Sequence, residues 1–247
     1  MQGKVALVTG GIGGIGTAIC IELAKGGAKV AANYFPAESE KAQAWQAKMK
    51  SEGFDMMVVP GDVTDIDSCK AMVEQVEKEL GPVDILVNNA GITRDGTFKK
   101  MSPEQWHAVI DTNLNSVYNV TAQVWNGMLD RSYGRIVNIS SVNGQKGQFG
   151  QANYSAAKAG IYGITKALAQ EGAAKGVTVN SISPGYIGTE MVMAIPEKVR
   201  EQIVAQIPVG RLGKPEEIGR AVAFLAAVDG GFITGSNLAI NGGQHMF

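Results

Sequence analysis

Hydrophobic residues in this chain fall into short, unbroken runs separated by longer stretches with helical spacing. The runs are Lys4 to Thr9, Ala28 to Tyr34, Phe54 to Val59, Pro82 to Asn88, Gly134 to Ser140, Val177 to Ser183 and Asn237 to Asn241. Their apolar continuity suits strands covered on both faces, as parallel strands are. Between them, Thr17 to Lys25 puts Ile19 and Leu23 on one stripe before Gly26-Gly27 stops it, and Ser39 to Glu52 is amphipathic. A further helix start is written at Ser102-Pro103-Glu104-Gln105, with an N-cap serine, proline at the first helical position and a capping-box glutamine. Strand and helix alternate to the end with no linker, repeat or low-complexity tract. The pattern predicts an α/β fold in a single domain over residues 1–247: a doubly wound parallel sheet of about seven strands with helices on both faces.

The first run leads straight into Gly10-Gly11-Ile12-Gly13-Gly14-Ile15-Gly16, and a helix follows at once. Strand, glycine turn and helix form the context of a Rossmann-type dinucleotide fingerprint. Glycine lets the chain turn tightly and lets backbone approach a pyrophosphate resting on free N–H groups at the helix start. Two registers fit: Gly11, Gly13 and Gly16 match G-x-G-x-x-G, and Thr9, Gly10, Gly14 and Gly16 match T-G-x-x-x-G-x-G. In such folds ligands collect outside the carboxyl ends of the strands, where Asn88 to Gly91, Ser141 and Pro184-Gly185 also fall.

Tyr154 and Lys158 stand four residues apart in a helical stretch and so share a face, with Ser141 at the end of an upstream strand. An ammonium beside a phenol favours the ionised form of the phenol and makes it able to pass a proton. A Tyr and Lys at this spacing are more often an ordinary packing pair; the fingerprint and Ser141 are what point to chemistry.

These signals together resemble the short-chain dehydrogenase/reductases, and the resemblance covers essentially the whole chain. Within that family the chain is most similar to the acetoacetyl-CoA reductases of polyhydroxybutyrate synthesis, through Gly91 to Asp95, Ser140 to Tyr154 and Asn241 to Met246. The resemblance implies transfer of hydride to the C3 carbonyl of a short 3-oxoacyl thioester, acetoacetyl-CoA or similar, with Tyr154 as proton donor and Ser141 holding the oxygen. Family spacing selects Ser141 over Ser140. Lys158 would lower the tyrosine pKa and hydrogen-bond the nicotinamide ribose, and Asn113 would bend a helix and hold a water leading protons to the lysine. The nucleotide would lie on Gly10, Gly13, Gly14, Ile15 and Gly16, on Asn89, Ala90 and Gly91, and on Pro184, Gly185 and Ile187. Asp62-Val63 resembles the adenine contact, although Asp62 alone reads equally as a turn or capping aspartate.

An NAD enzyme usually carries Asp or Glu after the second strand; here stands Asn33-Tyr34-Phe35. The missing carboxylate favours NADPH/NADP+, with Asn33, Tyr34, Ser39 or Lys41 as donors to the 2′-phosphate, although no arginine is present. By resemblance Gln148, Phe149, Gln151 and Tyr186 would line the acetoacetyl group, while Arg94, Asp95 and Lys100 would lie along the pantetheine arm or its phosphates. Residues 187–206 resemble the family's mobile lid. The rival substrate is the 3-oxoacyl thioester of acyl carrier protein; a second rival is a cofactor-binding regulator without activity, against which an intact Ser141, Tyr154 and Lys158 argue.

A net charge of −1 and the lack of any basic run offer no field for nucleic acid or an anionic membrane. The longest apolar stretch, Ala221 to Val228, is far short of a membrane span. Two cysteines, Cys20 and Cys69, suit small buried side chains in a reducing compartment, so a cytoplasmic enzyme is expected. His107 and His245 read as structural, and no metal is expected. Relatives pair two long helices, here 113–131 and 152–175, into homotetramers.

Overall fold

The computed structural model describes residues 1–246. Seven parallel strands form one sheet: β1 (Val5–Val8), β2 (Lys29–Tyr34), β3 (Met57–Pro60), β4 (Val83–Asn88), β5 (Gly134–Ile139), β6 (Val177–Pro184) and β7 (Asn237–Ile240), in the order β3-β2-β1-β4-β5-β6-β7. Around them run α1 (Gly14–Lys25), α2 (Ser39–Ser51), α3 (Ile66–Leu80), α4 (Pro103–Ile110), α5 (Ser116–Asp130), α6 (Val142–Lys146), α7 (Ala152–Gly172), α8 (Glu190–Met193), α9 (Glu197–Ala205) and α10 (Pro215–Leu225).

Strand pleating divides the core in two. On β1, Ala6 and Val8 join Ile19 and Leu23 of α1, Trp45 of α2 and Ile218 and Val222 of α10, while Val5 and Leu7 face Met72 and Val76 of α3 and Val120 and Val124 of α5. Both faces of the sheet are therefore sealed, the reason these strands read as continuous apolar runs. The exception is β7 at the sheet edge, where Leu238 is exposed although its run looked like the others. The β3 strand also starts later than its run suggested, at Met57 rather than Phe54.

Chain order reverses between β1 and β4, which are neighbours in the sheet. That switch leaves a crevice above their carboxyl ends. The capping box at Ser102 forms as written, Ser102 Oγ accepting from the Gln105 N–H at 3.2 Å and Gln105 Oε1 from the Ser102 N–H at 2.9 Å. One π turn, Asp111–Asn115, separates α4 from α5.

Candidate active site

The glycine turn is built so that side chains cannot enter it. Gly10 has a φ of +60°, and its N–H donates to Asn33 Oδ1 at 3.2 Å. A Cβ on Gly11 would lie 2.7 Å from that of Ala32, and one on Gly16 would strike the Gly10 carbonyl oxygen and stand 2.9 Å from the Gly11 Cα. Gly13 caps α1 without a side chain, leaving the first-turn N–H groups for a ligand, and Gly14 is exposed above them. This bare cradle fits a dinucleotide pyrophosphate.

Across the switch, Thr9 Oγ1 accepts from the N–H groups of Asn89 at 2.9 Å and Ala90 at 3.0 Å. Asn89 Nδ2 returns bonds to the carbonyls of Thr9 at 2.9 Å and Gly10 at 3.2 Å. The two loops are thus stitched together. Thr9 itself was missed as a site residue, though it heads the second glycine register.

One expectation fails here. Asn33 is buried, its Oδ1 holds Gly10, and its Nδ2 donates to the carbonyls of Tyr34 at 3.2 Å, Val59 at 3.4 Å and Gly61 at 3.0 Å. It has no atom left for a 2′-phosphate and instead shapes the turn. Tyr34 and Ser39 remain partly exposed at this end, and Lys41 is exposed and paired with Glu38 at 3.0 Å. Asp62 Oδ1 accepts from the Thr64 N–H at 2.9 Å, so the aspartate makes a turn at the position expected for adenine, with Val63 buried beside it.

Ser141, Tyr154 and Lys158 converge at the ends of β5 and β6. Ser141 caps α6, and its Oγ accepts from the Asn143 N–H at 3.1 Å. Burial pushes the Tyr154 phenol above its usual pKa; the Ser141 hydroxyl pulls it down, while Asp95, Tyr162 and Tyr186 add to the rise. Lys158 is buried, donates to the Ile139 carbonyl at 2.8 Å and lies 5.7 Å from the centre of the Tyr154 ring. Desolvation lowers its pKa to about 8. Burial dominates the phenol, whose pKa the Ser141 hydroxyl alone lowers, and Tyr154 stays protonated at neutral pH.

Asn113 lies in the π turn and clamps Ile92, accepting from its N–H at 2.8 Å and donating to its carbonyl at 2.9 Å. Its side chain is committed to holding that loop. A Cβ on Gly91 would stand 3.3 Å from Asn113 Oδ1 and 3.5 Å from Lys158 Nζ, so the Gly91 backbone runs close to both groups.

Gln151 and Asp95, expected to touch substrate, are bonded to each other. Gln151 Nε2 donates to Asp95 Oδ2 at 2.8 Å, and Gln151 Oε1 accepts from Asn143 Nδ2 at 2.9 Å. Because a carboxylate can only accept, Asp95 fixes which way both amides face. The chain of bonds ends at Ser141 Oγ and leaves the serine hydrogen free to be donated elsewhere.

Gln148 Oε1 accepts from Lys146 at 3.0 Å, Phe149 is 87% exposed, and Lys100 is exposed. Tyr186 lines a cavity of about 160 Å³ with Gly185, Ile187, Ile207 and Arg211. Pro184 ends β6; Ile187 is buried and bridged to Gly213, which anchors the start of the 187–206 segment, and Thr189 then packs against Gly14.

Two further residues were not foreseen. Tyr162 donates to the Ser141 carbonyl at 3.0 Å and meets Ser183 Oγ at 2.9 Å; its signal was the four-residue spacing continued from Tyr154 through Lys158. Asn153 holds the carbonyls of Arg94 and Gln105, each at 3.1 Å, and seats the 92–105 loop on α7. Both cysteines are buried, and burial raises their thiol pKa values. Among the described residues no three His, Cys, Asp or Glu side chains gather as metal ligands.

A family model described as short chain dehydrogenase matches residues 4–200. The chain is 59% identical to the acetoacetyl-CoA reductase of Allochromatium vinosum, over 98% of this chain and 99% of that protein. It is 62% identical to the acetoacetyl-CoA reductase of Rhizobium meliloti, again over 98% and 99%. Against the 3-oxoacyl-(acyl-carrier-protein) reductase of Haemophilus influenzae identity falls to 45%, over 100% of both.

Proposed function

Because the chain belongs to the short-chain dehydrogenase family, we propose that it reduces acetoacetyl-CoA with NADPH to (R)-3-hydroxybutyryl-CoA for polyhydroxybutyrate synthesis. The observation that carries the reaction class is the meeting of Ser141, Tyr154 and Lys158 beside a nucleotide cradle free of side chains. The choice of thioester rests on the drop in identity from acetoacetyl-CoA reductases to the carrier-protein enzyme.

A bound nicotinamide would supply the hydride. Residues Gly13 to Gly16, Asn89 to Gly91 and Pro184 to Ile187 form the seat for the dinucleotide. Tyr154, protonated because burial raises its pKa, donates its proton to the oxygen that gains charge. Ser141, already accepting from Asn143, directs its own hydrogen to the same oxygen. Lys158, cationic below about pH 8, opposes the charge left on Tyr154. Comparing kcat/KM for acetoacetyl-CoA and for the carrier-protein thioester, each with NADPH and NADH, tests the reading. Preference for the CoA thioester with NADPH is expected, and a strong preference for the carrier-protein form overturns it.

The lack of a carboxylate at Asn33 to Phe35 supports NADPH, with Tyr34, Ser39 and Lys41 nearest the 2′-phosphate. Tyr34→Asp would set like charge against that phosphate and is expected to weaken NADPH relative to NADH by about tenfold or more. An unchanged ratio of the two dissociation constants would place the phosphate elsewhere. Asn33→Asp is the wrong test, since a carboxylate there would face three carbonyls.

Homotetramer formation through α5 and α7 fits the smooth exposed positions Ala156, Ala159, Gly163 and Ala167 on α7 and the exposed Tyr118 on α5. A cytoplasmic place suits a reaction drawing on NADPH and CoA. No helix among the described residues is long and apolar enough to cross a membrane.

A further inference from the structure

One rim of the active-site mouth carries an unusual pairing of exposed aromatic rings and unneutralised cations. The loop after β4 is fixed to the loop before α7 by the Gly96 N–H donating to the Gly150 carbonyl at 2.8 Å and by the Gln151–Asp95 bond. Asn153, next to Tyr154, holds the same loop through the Arg94 carbonyl. Two residues beyond Gly96 and one before Gly150, Phe98 and Phe149 stand 77% and 87% exposed. No core contact explains two bare rings on adjoining loops.

The charges beside them are equally unspent. Residues 93–101 carry Arg94, Lys99 and Lys100 against a single carboxylate, Asp95, which is committed to Gln151. Arg94 donates only to the neighbouring Thr93 carbonyl, and among the described residues the amines of Lys99 and Lys100 have no partner. The chain as a whole is slightly anionic, so this local excess of positive charge is a departure from its surroundings.

We propose that this rim binds the 3′-phospho-ADP end of coenzyme A, an exposed ring stacking on the adenine while Lys99 and Lys100 pair with the phosphates. The inference rests on the CoA-thioester reading above and names where its handle is held. A nucleobase offers a flat π face to Phe98 or Phe149, and a 3′-phosphate with a pyrophosphate offers concentrated negative charge to the lysines. A carrier protein presents no base to stack, so stacking on the rings would be confined to the CoA thioester.

The test compares acetoacetyl-CoA with acetoacetyl-N-acetylcysteamine, which shares the reacting end and lacks the nucleotide. For Lys99→Glu and for Phe98→Ala, kcat/KM with the CoA thioester is expected to fall about tenfold, through KM, while kinetics with the truncated thioester stay unchanged. Loss of the 3′-phosphate, in the dephospho-CoA thioester, should lessen the sensitivity to Lys99→Glu, the pyrophosphate remaining. Equal losses with both thioesters, no loss, or a loss confined to the carrier-protein thioester each overturn the rim as a CoA site. Calorimetric titration with free coenzyme A reads the site without turnover. A wild-type protein that binds it tenfold more tightly than Lys99→Glu supports the rim even where the assigned reaction fails, and equal binding by the two proteins overturns it.

Discussion

Tyr154→Phe is expected to lower kcat by at least about a thousandfold while leaving the NADPH dissociation constant within about twofold, because it removes the proton donor and one of two oxyanion partners yet keeps the ring. The phenol keeps its hydrogen at neutral pH and lies beside the Ser141 hydroxyl, whereas the other nearby phenol, Tyr162, is turned to the Ser141 carbonyl. Its backbone N–H is held by Asn153 Oδ1 at 2.8 Å, so the helix start does not depend on the hydroxyl. Stopped-flow turnover and fluorescence titration of NADPH would read the two quantities separately. A variant with near-normal kcat removes Tyr154 from the mechanism.

Gly16→Ala should be nearly as damaging, by a different route. The new methyl would meet the Gly10 carbonyl oxygen, the Gly11 Cα at 2.9 Å and Asn89 Nδ2 at 3.0 Å. Two of these are backbone atoms and cannot rotate away, so the turn must open, at a cost of about 1–3 kcal/mol or more. Opening it withdraws the α1 N–H groups from the pyrophosphate. NADPH affinity is expected to fall by about a hundredfold, with a lowered Tm in scanning calorimetry. Gly13→Ala is the internal control for Tm alone, since within the protein a Cβ there meets only the Gly10 carbonyl oxygen at 3.4 Å. Equal effects on Tm at both positions would show that the cradle is not shaped by the steric demand described.

Local sequence told most about features whose partners are also local. The glycine turn, the Ser102 cap and the shared face of Tyr154 and Lys158 are set by spacing of a few residues, and each forms as expected. Asn33 was misread because its partners, Val59 on β3 and Gly61 just past its end, are brought to it by strand pairing. Gln151 and Asp95 looked like free polar groups at a mouth; 56 positions of chain separate them, and only the fold reveals that each satisfies the other. The behaviour of Lys158 was hidden for a related reason. Spacing could place its amine near Tyr154, but the depth of burial and the Ile139 carbonyl that depth brings within reach come from the packing of α7 on the sheet. Edge exposure of β7 was invisible because strand order is not written in any one run.

The stitching of Thr9 to Asn89 and Ala90 bears on kinetics. Since the protein itself joins the two lips of the crevice, an arriving dinucleotide meets a receptor already in its final shape and need not spend affinity on ordering either loop. The first encounter with this joined crevice is then expected to be limited by diffusion and orientation, and any ordering that follows to fall on chain outside the two stitched loops.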